Sequence, residues 1–437
     1  MTRQGTPPAD WKVIPIGIDP VTICETNPDD RLQLGTPSVT VMASGRTVVA
    51  VNQGGPGLRN LAGVKGRLTH YSRLLQGRLF VTNDRGKTWQ AKHDFPLANG
   101  HLFRDGALLY LAGHDDDVQI MRSPDGGETW SKPEAITASH DFGDTTTAAP
   151  SSVLAANGHI YIAAMRVADF SVKGDASSIF APVILRATEG ANLTARKSWT
   201  ASEPAGPFAK WFPPQGMDHT GLPFLTGANL KHGQEITPGR RIFQPGWHAP
   251  QLTRIHDANH VWHDPSGKTL HLLAPASLQR SQWAALLRIT ETGDGKMHVG
   301  YETTPAGQKL FLLPVPGGNL KFALFYDEPS SRYWLLSQQA TDSMTRTEKL
   351  PDTRSRMACD ECHRLQLHFS RNLVDWCFAG HIAGSANPRE SWHSPAMAVR
   401  GQDLCIVCCA GTAENRNAFE THRIVALTVP QFRDLVY

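Results

Sequence analysis

Two eight-residue stretches of this chain repeat one pattern at a fixed distance. Thr82-Asn83-Asp84-Arg85-Gly86-Lys87-Thr88-Trp89 and Ser123-Pro124-Asp125-Gly126-Gly127-Glu128-Thr129-Trp130 both read Ser/Thr-x-Asp-x-Gly-x-Thr-Trp, with Asp84 and Asp125 41 residues apart. A period of about 40–50 residues is that of a propeller blade, one four-stranded sheet per repeat. The residue types suit a tight turn between two strands. The Asp accepts from backbone amides of its own turn, the Gly tolerates positive φ, and the Trp packs between neighbouring sheets. The pattern constrains the fold strongly and the chemistry weakly, because such turns lie on the outside of a blade.

Strand pairs joined by turn residues recur along the chain. Ser38–Ser44 and Arg46–Val51 flank Gly45. His101–Arg104 and Ala107–Ala112 flank Asp105-Gly106. Ser151–Ala155 and His159–Ala164 flank Asn157-Gly158. His260–His263 and Thr269–Leu273 flank Asp264-Pro265-Ser266-Gly267. Leu320–Tyr326 and Tyr333–Ser337 flank Asp327-Glu328-Pro329, and Pro395–Val399 and Leu404–Val407 flank Arg400 to Asp403. These six hairpins read as the inner strands of six blades, in an all-β chain whose 437 residues form one propeller of four-stranded antiparallel sheets. Degenerate versions of the repeated turn fall at Ala191–Trp199 and Ser370–Trp376. The last strand, His422–Val429, and the first, Trp11–Ile16, are placed to share a blade and remove free sheet edges. A seventh blade has room only in the Pro- and Gly-rich stretch 203–255, which reads instead as an excursion loop; 340–362 is a second one.

Composition excludes several classes. Charged residues are 19% of the chain and the net charge is +3, with no basic run, so no nucleic-acid partner is expected. No apolar stretch of about 18 residues occurs, so no membrane span is expected. Met1 to Pro20 lacks a basic region followed by an apolar core, so the expectation is a cytoplasmic protein, or a periplasmic or secreted one if a leader has been removed. Seven cysteines, an odd number clustered late in the chain, do not form a secreted disulfide framework. Cys405, Cys408 and Cys409 sit in an apolar strand and read as packing residues. Cys359-Asp360-Glu361-Cys362-His363 has the ligand types to begin a zinc site, but no second pair follows at matching spacing, and no cofactor is expected.

In a propeller the starts of the inner strands converge on one mouth of a central channel. By the hairpins above, those positions are Thr36, His101, Thr147, the run His256-Asp257-Ala258-Asn259-His260, Asn319 with Lys321, and Arg389 with His393. Most of them supply a His or a cation, which suits a polyhydroxylated anionic ligand. Candidate catalytic residues are His256 and His260, with Asp257 to orient an imidazole, and His101 and His393. Candidate substrate-binding residues are Arg254, Asn259, Asn319, Lys321 and Arg389, with Trp247, Trp211 and Phe212 available to stack on a sugar ring. His114, followed by three aspartates, ends a second strand and reads as a solvated rim or far-face residue. No Gly-x-Ser-x-Gly elbow, phosphate-binding Gly loop or His-Glu-x-x-His pair is present.

The repeated turns resemble the Asp-box, or bacterial neuraminidase repeat, of the sialidase superfamily, and with the blade pattern the resemblance covers Trp11 to the C-terminus. It implies a propeller acting on or binding carbohydrate. It further implies three arginines on a carboxylate, a Tyr nucleophile paired with a Glu, and an Asp acid/base. The segment comparable to the first of those arginines reads Val13-Ile14-Pro15-Ile16, without Arg, so no catalytic residue is carried over. The His-rich mouth is similar instead to that of propeller-fold polysaccharide lyases and rhamnose–glucuronate-cleaving enzymes. The expectation is therefore a glycosidase or lyase cleaving next to an acidic or deoxy sugar, with an acidic oligo- or polysaccharide as partner. The alternative is a propeller that binds glycan or protein without turnover.

Overall fold

The computed structural model describes residues 13–68, 73–138, 147–168, 176–212, 235–237, 240–241, 246–276, 282–340, 345, 349, 361–387, 390–415 and 420–437. It is a six-bladed β-propeller. Blade 1 holds Gln33–Val41, Thr47–Gly54, Arg73–Thr82 and Gln90–Phe95, with Gly66–Leu68 added beside its third strand. Blade 2 holds Ala98–Asp105, Leu108–His114, Val118–Ser123 and Glu134–Ala135. Blade 3 holds Thr147–Ala156, His159–Val167, Phe180–Thr188 and Thr200–Ala201. Blade 4 holds Gln251–Thr253, Thr269–Pro275, Trp283–Glu291 and Met297–Gly300. Blade 5 holds Ala323–Asp327, Arg332–Gln338, Arg364–Ser370 and Trp376–Gly384. Blade 6 holds Trp392–Arg400, Asp403–Ala410 and Arg423–Val429. All of these strands pair antiparallel.

Each sheet is sandwiched between two others, so its middle strands need apolar side chains on both faces rather than on alternate ones. That is why the second strands are near-continuous apolar runs: Val48 to Val51, Leu109 to Ala112, Ile160 to Ala164, Leu270 to Ala274, Tyr333 to Leu336 and Leu404 to Ala410 are all buried. The core is accordingly a ring of six clusters, one at each blade–blade seam. The inner strands touch in succession all the way round and close on themselves between blades 6 and 1.

Closure uses the chain's beginning. Ile18–Glu25 forms the outermost strand of blade 6, pairing with Arg423–Val429. The shared blade was legible, but the strand lies later than the expected Trp11–Ile16; Trp11 and Lys12 lie outside the described residues, and Ile16 instead bonds the edge of blade 5 (Ile16 N to His381 O, 2.8 Å). No seventh blade occurs among the described residues. The stretch 203–255 contributes a helical turn, Phe208–Trp211, a short pair, Glu235–Thr237 with Arg240–Arg241, and then the inner strand of blade 4.

The two motif turns join third and fourth strands and have the same internal geometry. Thr82 Oγ1 donates to Asp84 Oδ1 (2.7 Å), which accepts from Thr88 N (3.0 Å), and Trp89 Nε1 donates to Gly86 O (3.1 Å). Ser123 Oγ donates to Asp125 Oδ1 (2.8 Å), which accepts from Thr129 N (2.9 Å), and Trp130 Nε1 donates to Gly127 O (3.3 Å). Gly86 and Gly127 have φ of 90° and 97°. Trp89 packs on the seam between blades 6 and 1, Trp130 on that between blades 1 and 2. At 370–376 Asn372 takes the Asp role and Leu373 (φ 65°) the left-handed place of Arg85 (φ 63°), while the motif glycine is lost. Blade 4 has a shorter relative, in which Thr292 donates to Asp294 ahead of Gly295 (φ 78°).

One hairpin is corrected. The inner strand of blade 4 is Gln251–Thr253, paired with His271 to Leu273, and His260–His263 is a turn inside the 254–268 connection.

Candidate functional site

That correction moves half of the expected site to the other end of the molecule. In an up-and-down sheet the start of the first strand, the end of the second and the start of the third share one face. First-to-second and third-to-fourth connections share the opposite face. Residues 254–268 belong to the second group. Asp257 pairs with Arg371 (3.0 Å) and His260 Nε2 contacts Asn372 O (3.0 Å), both on the third-to-fourth turn of blade 5. Arg254 Nη1 donates to Asn157 Oδ1 (3.1 Å), on a first-to-second turn of blade 3. Arg254, His256, Asp257, Asn259 and His260 therefore sit on the face of the motif turns, away from the mouth.

The mouth keeps His101, Asn319, Lys321 and His393. His101 comes from the inner strand of blade 2, Asn319 and Lys321 lie just ahead of that of blade 5, and His393 begins that of blade 6. Blades 2 and 5 face each other across the channel. Burial, then the charge of Lys321, pushes the His101 imidazole down to about 4. The same two causes in the same order bring His393 to about 4. Burial lowers Lys321 to about 8. Both imidazoles thus feel the charge of Lys321. Around neutral pH they are two neutral imidazoles and a largely charged ammonium in a desolvated channel.

Hydrogen bonds fix two of them. Gln338, at the end of the second strand of blade 5, donates to Lys321 O (2.8 Å) and accepts from Ser394 N (3.2 Å), tying blade 5 to blade 6. His393 Nε2 contacts Thr421 Oγ1 (2.9 Å) and Nδ1 contacts Ser394 Oγ (3.1 Å). Among the described residues neither ring nitrogen of His101 is hydrogen-bonded, so that imidazole is open to a ligand. Asn319 is 3% exposed, and among the described residues both its carboxamide atoms lack a partner, so the amide has hydrogen-bonding capacity to spare.

A backbone device recurs at this face. Thr36, Asn99, Ala249 and Ser394 are left-handed, with φ of 44°, 51°, 41° and 50°. Thr36, Asn99 and Ser394 lie in the first residues of the inner strands of blades 1, 2 and 6, and Ala249 just ahead of that of blade 4. In blades 1, 2 and 6 the pairing register shifts there, between Gly35 and Ser38, Ala98 and His101, and His393 and Ala396. Bulges of this kind end regular pairing and re-aim side chains. Asn99 also relays between blades. Its Oδ1 accepts from Asn52 Nδ2 (2.8 Å) and its Nδ2 reaches His114 Nε2 (3.2 Å). His114 is thus a buried mouth-face residue, 7% exposed and pushed down to about 4 by burial, and not the solvated one expected.

Other expectations resolve differently. Trp247 is fully buried in the blade 3–4 core, its Nε1 donating to Phe180 O (2.7 Å), and meets Phe208 edge-to-face; Trp211 and Phe212 pack into the same cluster. Thr147 begins the inner strand of blade 3. Arg389 lies outside the described residues, as do Cys359 and nearly all of 341–360. Cys362 is buried, and the described residues hold no group of three or more potential metal ligands. No helix among them is long and apolar enough to cross a membrane. A Tyr–Glu pair does exist: Tyr161 donates to Glu291, which also pairs with Arg186 (2.9 Å). It lies in the blade 3–4 seam, however, and burial, then the Glu291 bond, pushes the phenol up to about 12, the opposite of what a nucleophile needs.

No family model matches the sequence, and no curated protein does. By structure the chain is similar to a Hadza microbial sialidase, at 11% identity and a TM-score of 0.54 over 94% of this chain and 68% of that one. It is similar also to a protein of unknown function from Dyadobacter fermentans, at 11% identity and a TM-score of 0.51 over 94% and 98%. An α-L-arabinofuranosidase of Fusarium graminearum, solved with an iminosugar inhibitor, gives 9% identity and a TM-score of 0.50 over 95% and 98%. At such identities the likeness is one of fold. The chain has the architecture of the sialidase-like six-bladed propellers.

Proposed function

We propose that the chain is a carbohydrate-active enzyme that cleaves next to an acidic sugar at the channel mouth, by elimination. The observation that carries this reading is that Lys321, His101 and His393 share one mouth, with the lysine charge felt by both imidazoles. An ammonium in a desolvated channel pairs with a sugar carboxylate. Pairing offsets the charge that depresses the imidazoles, and the carboxylate itself favours their protonated forms, so substrate raises the basicity of His101. His101 then takes the proton alpha to the carboxylate. The electron pair forms the carbon–carbon double bond as the bond to the leaving oxygen breaks, and that oxygen takes a proton from the imidazolium or from water. Asn319 serves a ring hydroxyl or the carboxylate. His393, held by Thr421 and Ser394, positions the ligand.

The likeness in fold to a sialidase and an arabinofuranosidase supports a sugar as substrate, and the ammonium supports an acidic one. The experiment is incubation with uronate-containing oligosaccharides and sialosides, reading reducing ends together with the ultraviolet absorbance of an unsaturated uronate. Both signals together are the expected outcome, and Lys321→Met removes both. Reducing ends without absorbance would replace elimination by hydrolysis. Silence in both, with binding retained, would make this a glycan-binding propeller.

A further inference from the structure

The face opposite the mouth carries a cavity of about 190 Å3 between the 254–268 connection and the start of Thr269–Pro275; Arg254, His256, Trp262, His263 and Asp264 line it. It is smaller than the roughly 300–1,000 Å3 of sites for drug-sized ligands and suits one small molecule. Its central feature is Arg254. Among the described residues no carboxylate pairs with this guanidinium. Its Nε donates to His256 Nε2 (3.4 Å) and its Nη1 to Asn157 Oδ1 (3.1 Å), both neutral acceptors, so the fork is oriented while its charge is left uncompensated.

The surroundings hold that arrangement in place. The His256 ring stacks on Tyr326 at 3.6 Å and 11°, and its backbone N donates to Tyr333 Oη (3.1 Å), whose hydroxyl donates to Arg254 O (2.7 Å). With Nε2 accepting from Arg254, the proton of the neutral ring is on Nδ1, facing the solvated Glu328 at 3.4 Å. The other acid at the cavity, Asp264, spends its oxygens on Ser266 N (2.8 Å), Ser266 Oγ (2.7 Å) and Thr269 Oγ1 (2.9 Å). Asp257 is paired with Arg371. Among the described residues, Nδ1 of His263 is buried without a partner, a donor or acceptor left over. Trp262 anchors its indole through Nε1 to Thr303 O (3.0 Å), which leaves part of the ring to form a wall.

The geometry points to a second binding site, separate from the mouth, for a small carboxylate-bearing polyol such as a single uronic acid. Arg254 takes the carboxylate through its free nitrogen edge, His263 a hydroxyl, and the Trp262 wall the apolar face of the ring. The site stands independently of any turnover at the mouth.

The test uses the full chain carrying Lys321→Met, which silences the mouth, with sodium glucuronate as probe and galactose as its neutral counterpart. The imidazole resonances of His256 and His263 report occupancy. Glucuronate is expected to shift both saturably, galactose to bind at least tenfold more weakly, and Arg254→Gln to weaken glucuronate at least tenfold while the melting temperature stays near that of the parent. Should Arg254→Gln not fold, Arg254→Lys keeps the charge without the fork and is expected to lose severalfold. Added salt should weaken glucuronate and not galactose. Unmoved imidazoles at saturating glucuronate, equal affinity for galactose, or an Arg254 variant that binds as the parent does would each overturn the proposal.

Discussion

The charge of Lys321 acts on His101 from the facing blade and on His393 from the neighbouring one, and it adds to burial in setting the state of both imidazoles. This coupling sets the pH dependence. His101 acts as a base only when neutral, so activity rises as pH climbs through about 4. Lys321 holds a carboxylate only when charged, so activity falls as pH passes about 8. A kcat/KM profile on an acidic oligosaccharide is expected to be a bell with those limbs; a profile flat through pH 8 would remove Lys321 from the binding step. His101→Ala is expected to fold as the parent does and to lose turnover by at least a hundredfold, since its ring makes no hydrogen bond among the described residues. Asn99 is different, because its role is structural. Asn99→Gly keeps the left-handed backbone that glycine adopts freely but leaves Asn52 and His114 without their partner, and should cost about 1–2 kcal/mol by denaturant titration.

At the level of strands and turns, the account rests on the repeated turn and on the seams it closes. Trp130 is half-buried between blades 1 and 2, and Trp130→Ala should cost about 2 kcal/mol, below the roughly 3–5 of a fully buried Trp. Asp125 is an acid-sensitive latch. Its slight burial works the other way, but bonds from Thr129, Ser123 and Glu128 hold its carboxyl down to about 2. Its stabilising effect is thus present above the unfolded value near 3.8 and is lost as pH falls through about 2. Ala249 adopts a φ of 41° with a Cβ, and Ala249→Gly should raise stability by about 0.5–1 kcal/mol. The sequence told much at this scale. Five of the six inner hairpins were legible, because turn residues bracket apolar runs that both faces of a blade require. Blade 4 misled for a physical reason. Its inner strand is only Gln251–Thr253, too short to show a pattern, while Val261-Trp262 beside Asp264-Pro265-Ser266-Gly267 imitates a hairpin. That one misreading carried Arg254, His256 and His260 to the wrong face. Trp247 was misjudged because an aromatic on a Pro-rich stretch looks alike whether it meets a ligand or a core. The convergence of His101 with Lys321 was visible as a set of positions, but distances across a channel leave no trace in sequence.

The whole ring closes through Ile18–Glu25, and removing that strand should convert one cooperative thermal transition into a broadened one by exposing the edge of blade 6. Acid should loosen the ring as well. His101, His114, His256, His368 and His393 are all held near 4 by burial first. The unfolded chain binds protons at these rings near 6.5 while the folded one does not, so stability falls as pH drops from about 6.5 to about 4 and levels off below that. Residues nearly three hundred positions apart in a chain of 47.9 kDa are folded so that blades 2, 5 and 6 bring three nitrogens to one mouth. The most direct test is the titration of the His101 and His393 imidazoles by nuclear magnetic resonance, in the parent and in Lys321→Met. The account predicts midpoints near 4 in the parent, both rising when the lysine charge is removed. Imidazoles that titrate near 6.5, or that do not respond to Lys321→Met, would contradict it.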